Sequence, residues 1–184
     1  MSPVANGRAV FLDRDGTITE STDYIGQVEY VVLIPHATQA LKRLQDAGYK
    51  LFIITNQSGV GRGYFTREAV ESIHAHLDEE FGRSGVRFDR YYVCPHHPED
   101  NCECRKPKPK FLLDAAREYG LDLSHCFMIG DRASDIQAGL NAGVQTVLVL
   151  TGDGRETLAK QEARPDHVAN DIAEAAAWIL GHDQ

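Results

Sequence analysis

Short apolar runs alternate along the chain with stretches whose apolar residues recur three and four positions apart. Residues 9–13 (AVFLD), 50–55 (KLFIIT), 91–94 (YYVC), 126–131 (CFMIGD) and 146–151 (TVLVLT) are nearly continuous in apolar side chains and no longer than a strand. Such runs suit parallel strands covered on both faces, where no position needs to be polar. Between them, residues 36–48 (HATQALKRLQDAG) place Ala37, Leu41, Leu44 and Ala47 on one helical face, with Gly48 set to end the helix. Residues 66–82 begin with Thr66 as a cap, bury Val70, Ile73, Leu77 and Phe81, and stop at Gly82. On that helix His74 and His76 read as solvated. Further helices are predicted over 109–119, 134–141 and 172–180, the last carrying Trp178. The alternating order predicts an α/β fold, a three-layer α/β/α sandwich around a mainly parallel sheet, with 1–184 forming one domain. Ligands of such sheets bind at the carboxyl ends of the strands.

Charge narrows the partners. A net charge of −8 repels nucleic acid and anionic membranes, so an anionic ligand needs a local basic site. The first residues lack the basic and long apolar regions of a signal peptide, and no run approaches a membrane span. Three of the four cysteines lie at metal-like spacing, which points to a reducing, cytoplasmic setting instead of a disulfide framework. The chain is expected to act as a monomer on a small metabolite.

The predicted strand ends carry the chemistry. DRDGT follows the first, with Asp13 and Asp15; TNQSG follows the second, with Thr55, Asn56, Gln57 and Ser58; GDRASD follows the fourth, with Asp131 and Asp135. In a turn, DxDG alone is more often structural. A third carboxylate, Asp131, leaving another strand of the same sheet favours a hard divalent cation, for which Mg²⁺ fits. After the third strand comes CPHHPEDNCECRKPKPK. Cys94, His96, Cys102 and Cys104 offer S, N, S and S donors, a closed structural zinc site in a loop of residues 94–104. Such a loop fixes Arg105 and Lys106 directly after it. His97 is the spare, a loop histidine, and Cys126 reads as a small core residue. A nucleic-acid finger would need a recognition helix and a basic face, and the sequence offers neither.

FLDRDGT, ITNQSG, RKPKP and MIGDRASD, in that order, resemble the four motifs of the haloacid dehalogenase superfamily of phosphatases. With the cysteine-rich insertion they are similar to the branch that holds heptose bisphosphate and histidinol-phosphate phosphatases. The resemblance covers about residues 9 to 150. It implies Asp13 as nucleophile and Asp15 as general acid and base. It implies Mg²⁺ on the Asp13 carboxylate, the Asp15 backbone carbonyl and Asp131. Thr55 and the amides from Asn56 onward, with Gln57 and Ser58, would bind phosphoryl oxygens. Spacing leaves Lys106 and Lys108 both open as the stabilising lysine, and the resemblance selects Lys106. Asp135 is either a first-turn helix acid or an indirect partner of the metal.

The segment after Thr17 is too short for a large cap domain, so an open site for small substrates is expected. NQSGVGRGYFT resembles the heptose enzymes, and Arg62 and Arg105 could fork onto a second phosphate. Ser21 and Tyr24 are candidate substrate contacts, although heptose enzymes commonly have aspartate where Ser21 stands. Glu20 could instead meet the ammonium of histidinol phosphate. The C7 phosphate of D-glycero-D-manno-heptose 1,7-bisphosphate is the favoured substrate expectation, with histidinol phosphate as the alternative.

Overall fold

A computed structural model describes residues 7–20 and 24–182. Six strands, β1 Gly7–Leu12, β2 Lys50–Asn56, β3 Arg90–Cys94, β4 Leu121–Gly130, β5 Gln145–Val149 and β6 His167–Ala169, form one sheet. Their order is β3-β2-β1-β4-β5-β6, and every pair is parallel. Seven α-helices are described: α1 Ala37–Asp46, α2 Ser58–Gly61, α3 Arg67–Gly82, α4 Lys110–Tyr119, α5 Ala133–Ala142, α6 Gly154–Ala159 and α7 Ile172–His182.

Alternation within each strand builds the two cores. Val10, Leu12, Leu51, Ile53, Phe127 and Ile129 face one side with Leu41 and Leu44 of α1, Ile73, Leu77 and Phe81 of α3, and Ile172 and Ile179 of α7. Ala9, Phe11, Phe52, Ile54 and Met128 face the other with Leu112 and Ala115 of α4 and Ala142 of α5. Both faces of the strands are thus apolar, as the unbroken hydrophobic runs require. Thr66 caps α3 by accepting the Ala69 amide at 3.2 Å.

Three short elements escaped the pattern: α2, α6 and β6, the last only three residues long. Periodicity cannot register over so few positions. β4 begins at Leu121, five residues before its apolar run, because Leu121 pairs with Gly7 ahead of a register shift. The intervening Ser124 and His125 are exposed, so no apolar signal marks them.

From β1 the crossovers lead to β2 and β3 on one side and to β4, β5 and β6 on the other. The sheet therefore reverses between β1 and β4, the place where α/β sheets open a crevice. Leu12 pairs with Ile53 and Ile129, so the three central strands end level. Between Gly16 and His36 the described residues hold a 3₁₀ turn, Val28–Tyr30, and bridges from Thr19 to Asp15 and Leu33, a flap and not a cap domain. Among the described residues no helix is long and apolar enough to cross a membrane.

Candidate active site

Asp13 leaves β1 and Asp131 leaves β4, with the Asp13 amide bonded to the Ile129 carbonyl at 3.0 Å. Asp135 comes from the first turn of α5. One carboxylate oxygen from each of the three lies within 4.8 Å of the others, and all three side chains are buried. Burial, then the neighbouring carboxylates, raise Asp13 to about 6 and Asp131 to about 8. Asp131 Oδ2 accepts the Asp153 amide at 2.8 Å, whereas the buried Oδ1 has no partner. The walls are tight: a Cβ on Gly16, where φ is 88°, would stand 2.3 Å from Asp131 Oδ2. Glycine at 16 supplies both the left-handed turn and the close approach.

Lys106 completes the centre. Its Nζ donates to Asp13 Oδ1 at 2.7 Å and to the Ile54 carbonyl at 2.6 Å, and pairs with Asp135 Oδ1 at 2.7 Å. Burial alone would lower this lysine, but Asp13 and Asp135 outweigh it and raise its pKa. Lys108 pairs with Glu103 at the surface instead. Asp135 is occupied on both sides, because its Oδ2 accepts the Arg132 amide at 3.0 Å in a capping box. It serves the helix start and holds Lys106 at once.

Asp15 sits apart from the three carboxylates. Its side chain receives Arg14 Nε at 2.9 Å and Nη2 at 2.8 Å, Gln57 Nε2 at 2.9 Å and Thr19 Oγ1 at 3.2 Å. Gln57 also donates to Thr55 Oγ1 at 2.7 Å, tying the ends of β1 and β2 together. The Asn56 amide grips the Lys106 backbone from both sides, accepting its N–H at 3.1 Å and donating to its carbonyl at 3.3 Å. Asp13, Asp15, Tyr24, Thr55, Asn56, Gln57, Ser58, Arg62, Arg105, Lys106 and Asp135 line one cavity of about 360 Å³. Nη1 of Arg105 is buried there without a partner. Arg62 lies over the Tyr24 ring at 5.8 Å, and Tyr24 meets Tyr64 edge-on at 5.0 Å.

Cys94, at the end of β3, joins His96, Cys102 and Cys104 in the following loop to form a second group able to hold a metal. His96 Nδ1 lies 3.6 Å from Cys94 Sγ and 3.2 Å from Cys104 Sγ, and Cys94 and Cys102 sulfurs are 3.5 Å apart. None of the three cysteines is in a disulfide. Their loop is stitched to the turn after β2, with the Gln57 amide on the Cys94 carbonyl at 2.7 Å and the Gly61 amide on the Pro95 carbonyl at 2.8 Å.

The HAD-hydrolase-like family model matches residues 103–175. The chain is 39% identical over 172 residues to the D-glycero-β-D-manno-heptose-1,7-bisphosphate 7-phosphatase of Pseudomonas aeruginosa, covering 93% of this chain and 97% of that one. The chain belongs to this phosphatase family. A Helicobacter pylori member is 46% identical over 144 residues, 78% of this chain and 83% of its own. The crystal structure of the B. bronchiseptica D,D-heptose 1,7-bisphosphate phosphatase, complexed with magnesium and phosphate, superposes with a TM-score of 0.90. It shares 35% identity and covers 96% of this chain and 99% of its own.

Within this phosphatase the sequence reading needs one correction and several refinements. His74 is buried, not solvated: it stacks on Tyr91 with ring centres 4.2 Å apart and meets Arg14 Nη1 at 3.3 Å. The signal was present, since position 74 follows Val70 by four and precedes Leu77 by three on the apolar stripe. His76 is half-buried. His97 is half-buried and caps the 3₁₀ turn Pro98–Asp100 by accepting the Glu99 amide at 3.2 Å. Cys126 is a core residue whose thiol burial pushes up to about 11. Ser21 lies outside the described residues. Glu20 is exposed and does not line the cavity. Arg14 escaped the sequence reading altogether, because nothing in its surroundings marks an arginine as buried.

Proposed function

We propose that this phosphatase removes the C7 phosphate of D-glycero-D-manno-heptose 1,7-bisphosphate through an aspartyl-phosphate on Asp13. One observation carries the reading: a single cavity combines buried Asp13 and Lys106 with the guanidinium groups of Arg62 and Arg105. A carboxylate needs no base to attack phosphorus. Two guanidinium forks suit the second phosphate of a bisphosphate, and Arg105 Nη1 has a free donor for it. The activity named for the Pseudomonas and Helicobacter relatives supports the same substrate. Histidinol phosphate would call on Glu20 for its ammonium, and Glu20 is not in the cavity wall.

Magnesium suits the carboxylate centre. Asp131 keeps an unpartnered buried oxygen, and Asp13 and Asp131 are both raised by burial and then by neighbouring carboxylates, Asp135 among them, which a hard cation with oxygen preference relieves. Asp13, Asp131 and the Asp15 backbone carbonyl would hold it. When bound, the ion supplies positive charge between two anions that must approach each other.

The residues divide the reaction. An oxygen of Asp13 bonds to phosphorus as the bond from phosphorus to the sugar oxygen breaks, and Asp15 gives its proton to that leaving oxygen. Asp15, now a carboxylate, takes a proton from the water that cleaves the aspartyl-phosphate, restoring both groups and releasing phosphate. Such transfer contributes about 10²–10⁴-fold. Lys106 balances the charge shared by Asp13 and the phosphoryl group, and Thr55 with the backbone amides of Asn56 and Ser58 orients the remaining oxygens, the Gln57 amide being held by the Cys94 carbonyl.

The sulfur-rich group fits zinc. Three thiols and an imidazole nitrogen make a closed set with no position left for substrate. Its role is to hold the loop whose end delivers Arg105 and Lys106.

The test is phosphate release with Mg²⁺ from the heptose 1,7-bisphosphate and from histidinol phosphate. kcat/KM is expected to favour the heptose by about a hundredfold or more, about 2.7 kcal/mol in the transition state. The reverse preference overturns the substrate assignment.

A further inference from the structure

Arg14 is among the largest fully buried side chains of the molecule, with 1% exposure, yet it is a cation beside an apolar core. Its neighbour in sequence is Asp15, and the two side chains turn back on each other so that Nε meets Oδ1 and Nη2 meets Oδ2. This is the two-pronged geometry that fixes both the position and the plane of a carboxyl group. Stability does not explain it, because a buried ion pair is often matched or exceeded by well-packed hydrophobic residues.

The remaining prong is also provided for. Nη1 faces His74 Nε2 at 3.3 Å. A guanidinium only donates, so Nε2 accepts and the ring proton sits on Nδ1. Burial first, and Arg14 second, lower His74 to about 3, which keeps this acceptor available at neutral pH. His74 is itself fixed by stacking on Tyr91, whose hydroxyl donates to Asp78 at 2.9 Å.

The other donors to Asp15 differ in kind. Gln57 can turn to Thr55 Oγ1, and Thr19 Oγ1 also reaches the Arg14 carbonyl at 3.3 Å. Both can release a lone pair of Asp15 when a proton must sit there, since each carboxyl oxygen has two. Besides Asp15, the acceptor that Arg14 meets is His74.

We propose that Arg14, backed by His74, is the positioning residue of the acid and base: it holds the Asp15 carboxyl in the plane from which its proton reaches the leaving oxygen. This rests on the reading of Asp15 given above. The consequence is selective. A sugar alkoxide needs that proton to leave, whereas p-nitrophenolate does not, so loss of positioning must cost the first substrate and spare the second.

The experiment compares kcat/KM for the heptose bisphosphate and for p-nitrophenyl phosphate, because kcat/KM reports steps only through leaving-group departure. Arg14→Lys keeps the charge and loses the fork. It is expected to lose about a hundredfold on the sugar phosphate and less than about threefold on the aryl phosphate. His74→Leu is expected to lose about tenfold on the sugar alone, and His74→Gln, which keeps an acceptor for Arg14, to stay within about twofold of the parent. Should Arg14→Lys fail to fold, the two His74 variants give the same readout from α3. Asp15→Asn is the reference. If it is selective for the sugar while the Arg14 and His74 variants lose equally on both substrates, the positioning role is overturned. If Asp15→Asn is itself unselective, the acid and base reading of Asp15 falls first, and the positioning role with it.

Discussion

Among the described residues of this phosphatase, two groups of side chains converge closely enough to hold a metal, and they are built in opposite ways. Asp13, Asp131 and Asp135 stand at the ends of two central strands and the start of α5, all buried, in the crevice where the sheet reverses. Their set of oxygens is incomplete: Asp131 Oδ1 has no partner, and Lys106 lies between Asp13 and Asp135. Cys94, His96, Cys102 and Cys104 belong to a loop, are mostly half-buried, and bring their donors together without lining the cavity. Chemistry needs an unfinished coordination shell, so that substrate oxygen can complete it; a scaffold needs a finished one. The proposed roles divide between the two groups accordingly, and the second group's loop runs directly into Arg105 and Lys106, which line the cavity of the first.

The sharpest way to break this comparison is Asp13→Asn. The change keeps shape while removing the proposed nucleophile and one of three crowded carboxylates, so the fold is expected to survive with an unchanged or higher melting temperature. Phosphate release should drop below about 1% of the parent rate, because the covalent step has no substitute. Turnover above that level would place the nucleophile elsewhere and remove the distinction between the two groups.

Cys102→Ser acts on the other side and should do less. It replaces a thiolate donor with a weaker one, and a structural zinc site contributes directly to folding. Zinc content by elemental analysis and melting temperature should fall together. Activity should fall about tenfold, through the loosened placement of Lys106 and not through lost chemistry. Lost activity with full zinc content would instead put the sulfur-rich group in the reaction.

How much of this could be read from the sequence follows from what each residue's partners are. Asp13, Asp15 and Asp131 were legible because they sit one to three positions beyond apolar runs that can only be buried strands, and strand ends are where such sheets work. The sulfur donors were legible because their spacing within one loop suffices to bring them together. Lys106 could not be told from Lys108 by spacing, since the choice is made by Asn56, fifty positions away, gripping the Lys106 backbone. Asp135 joins a helix start to a lysine from another loop, a relation with no local signature. His74 was missed for a different reason. Its place on the α3 stripe marks it as inward-facing, but residue type argues for the surface, and only a buried cation beside it makes an inward histidine reasonable.

That pair supplies the smallest test, which sharpens what the carboxylate centre demands of its surroundings. Burial raises acids there and lowers the neighbouring base, so both are driven toward their neutral forms. His74 falls from 6.5 unfolded to about 3 folded, and between these values the unfolded chain binds more protons than the native one. Stability from this residue is therefore fully present above about pH 6.5 and is lost as pH falls toward about 3. Between pH 7 and pH 5 the loss comes to about 2 kcal/mol. His74→Gln lacks the titrating ring and should lose less over the same interval, measured by denaturant unfolding at both pH values. Burial raises the Tyr91 phenol out of the range, and Arg14, Asp15 and Asp78 are common to both proteins. Their contributions cancel in the difference between the two. Parallel losses would mean that His74 accepts a proton in the folded state, and a charged imidazole cannot also accept from Arg14.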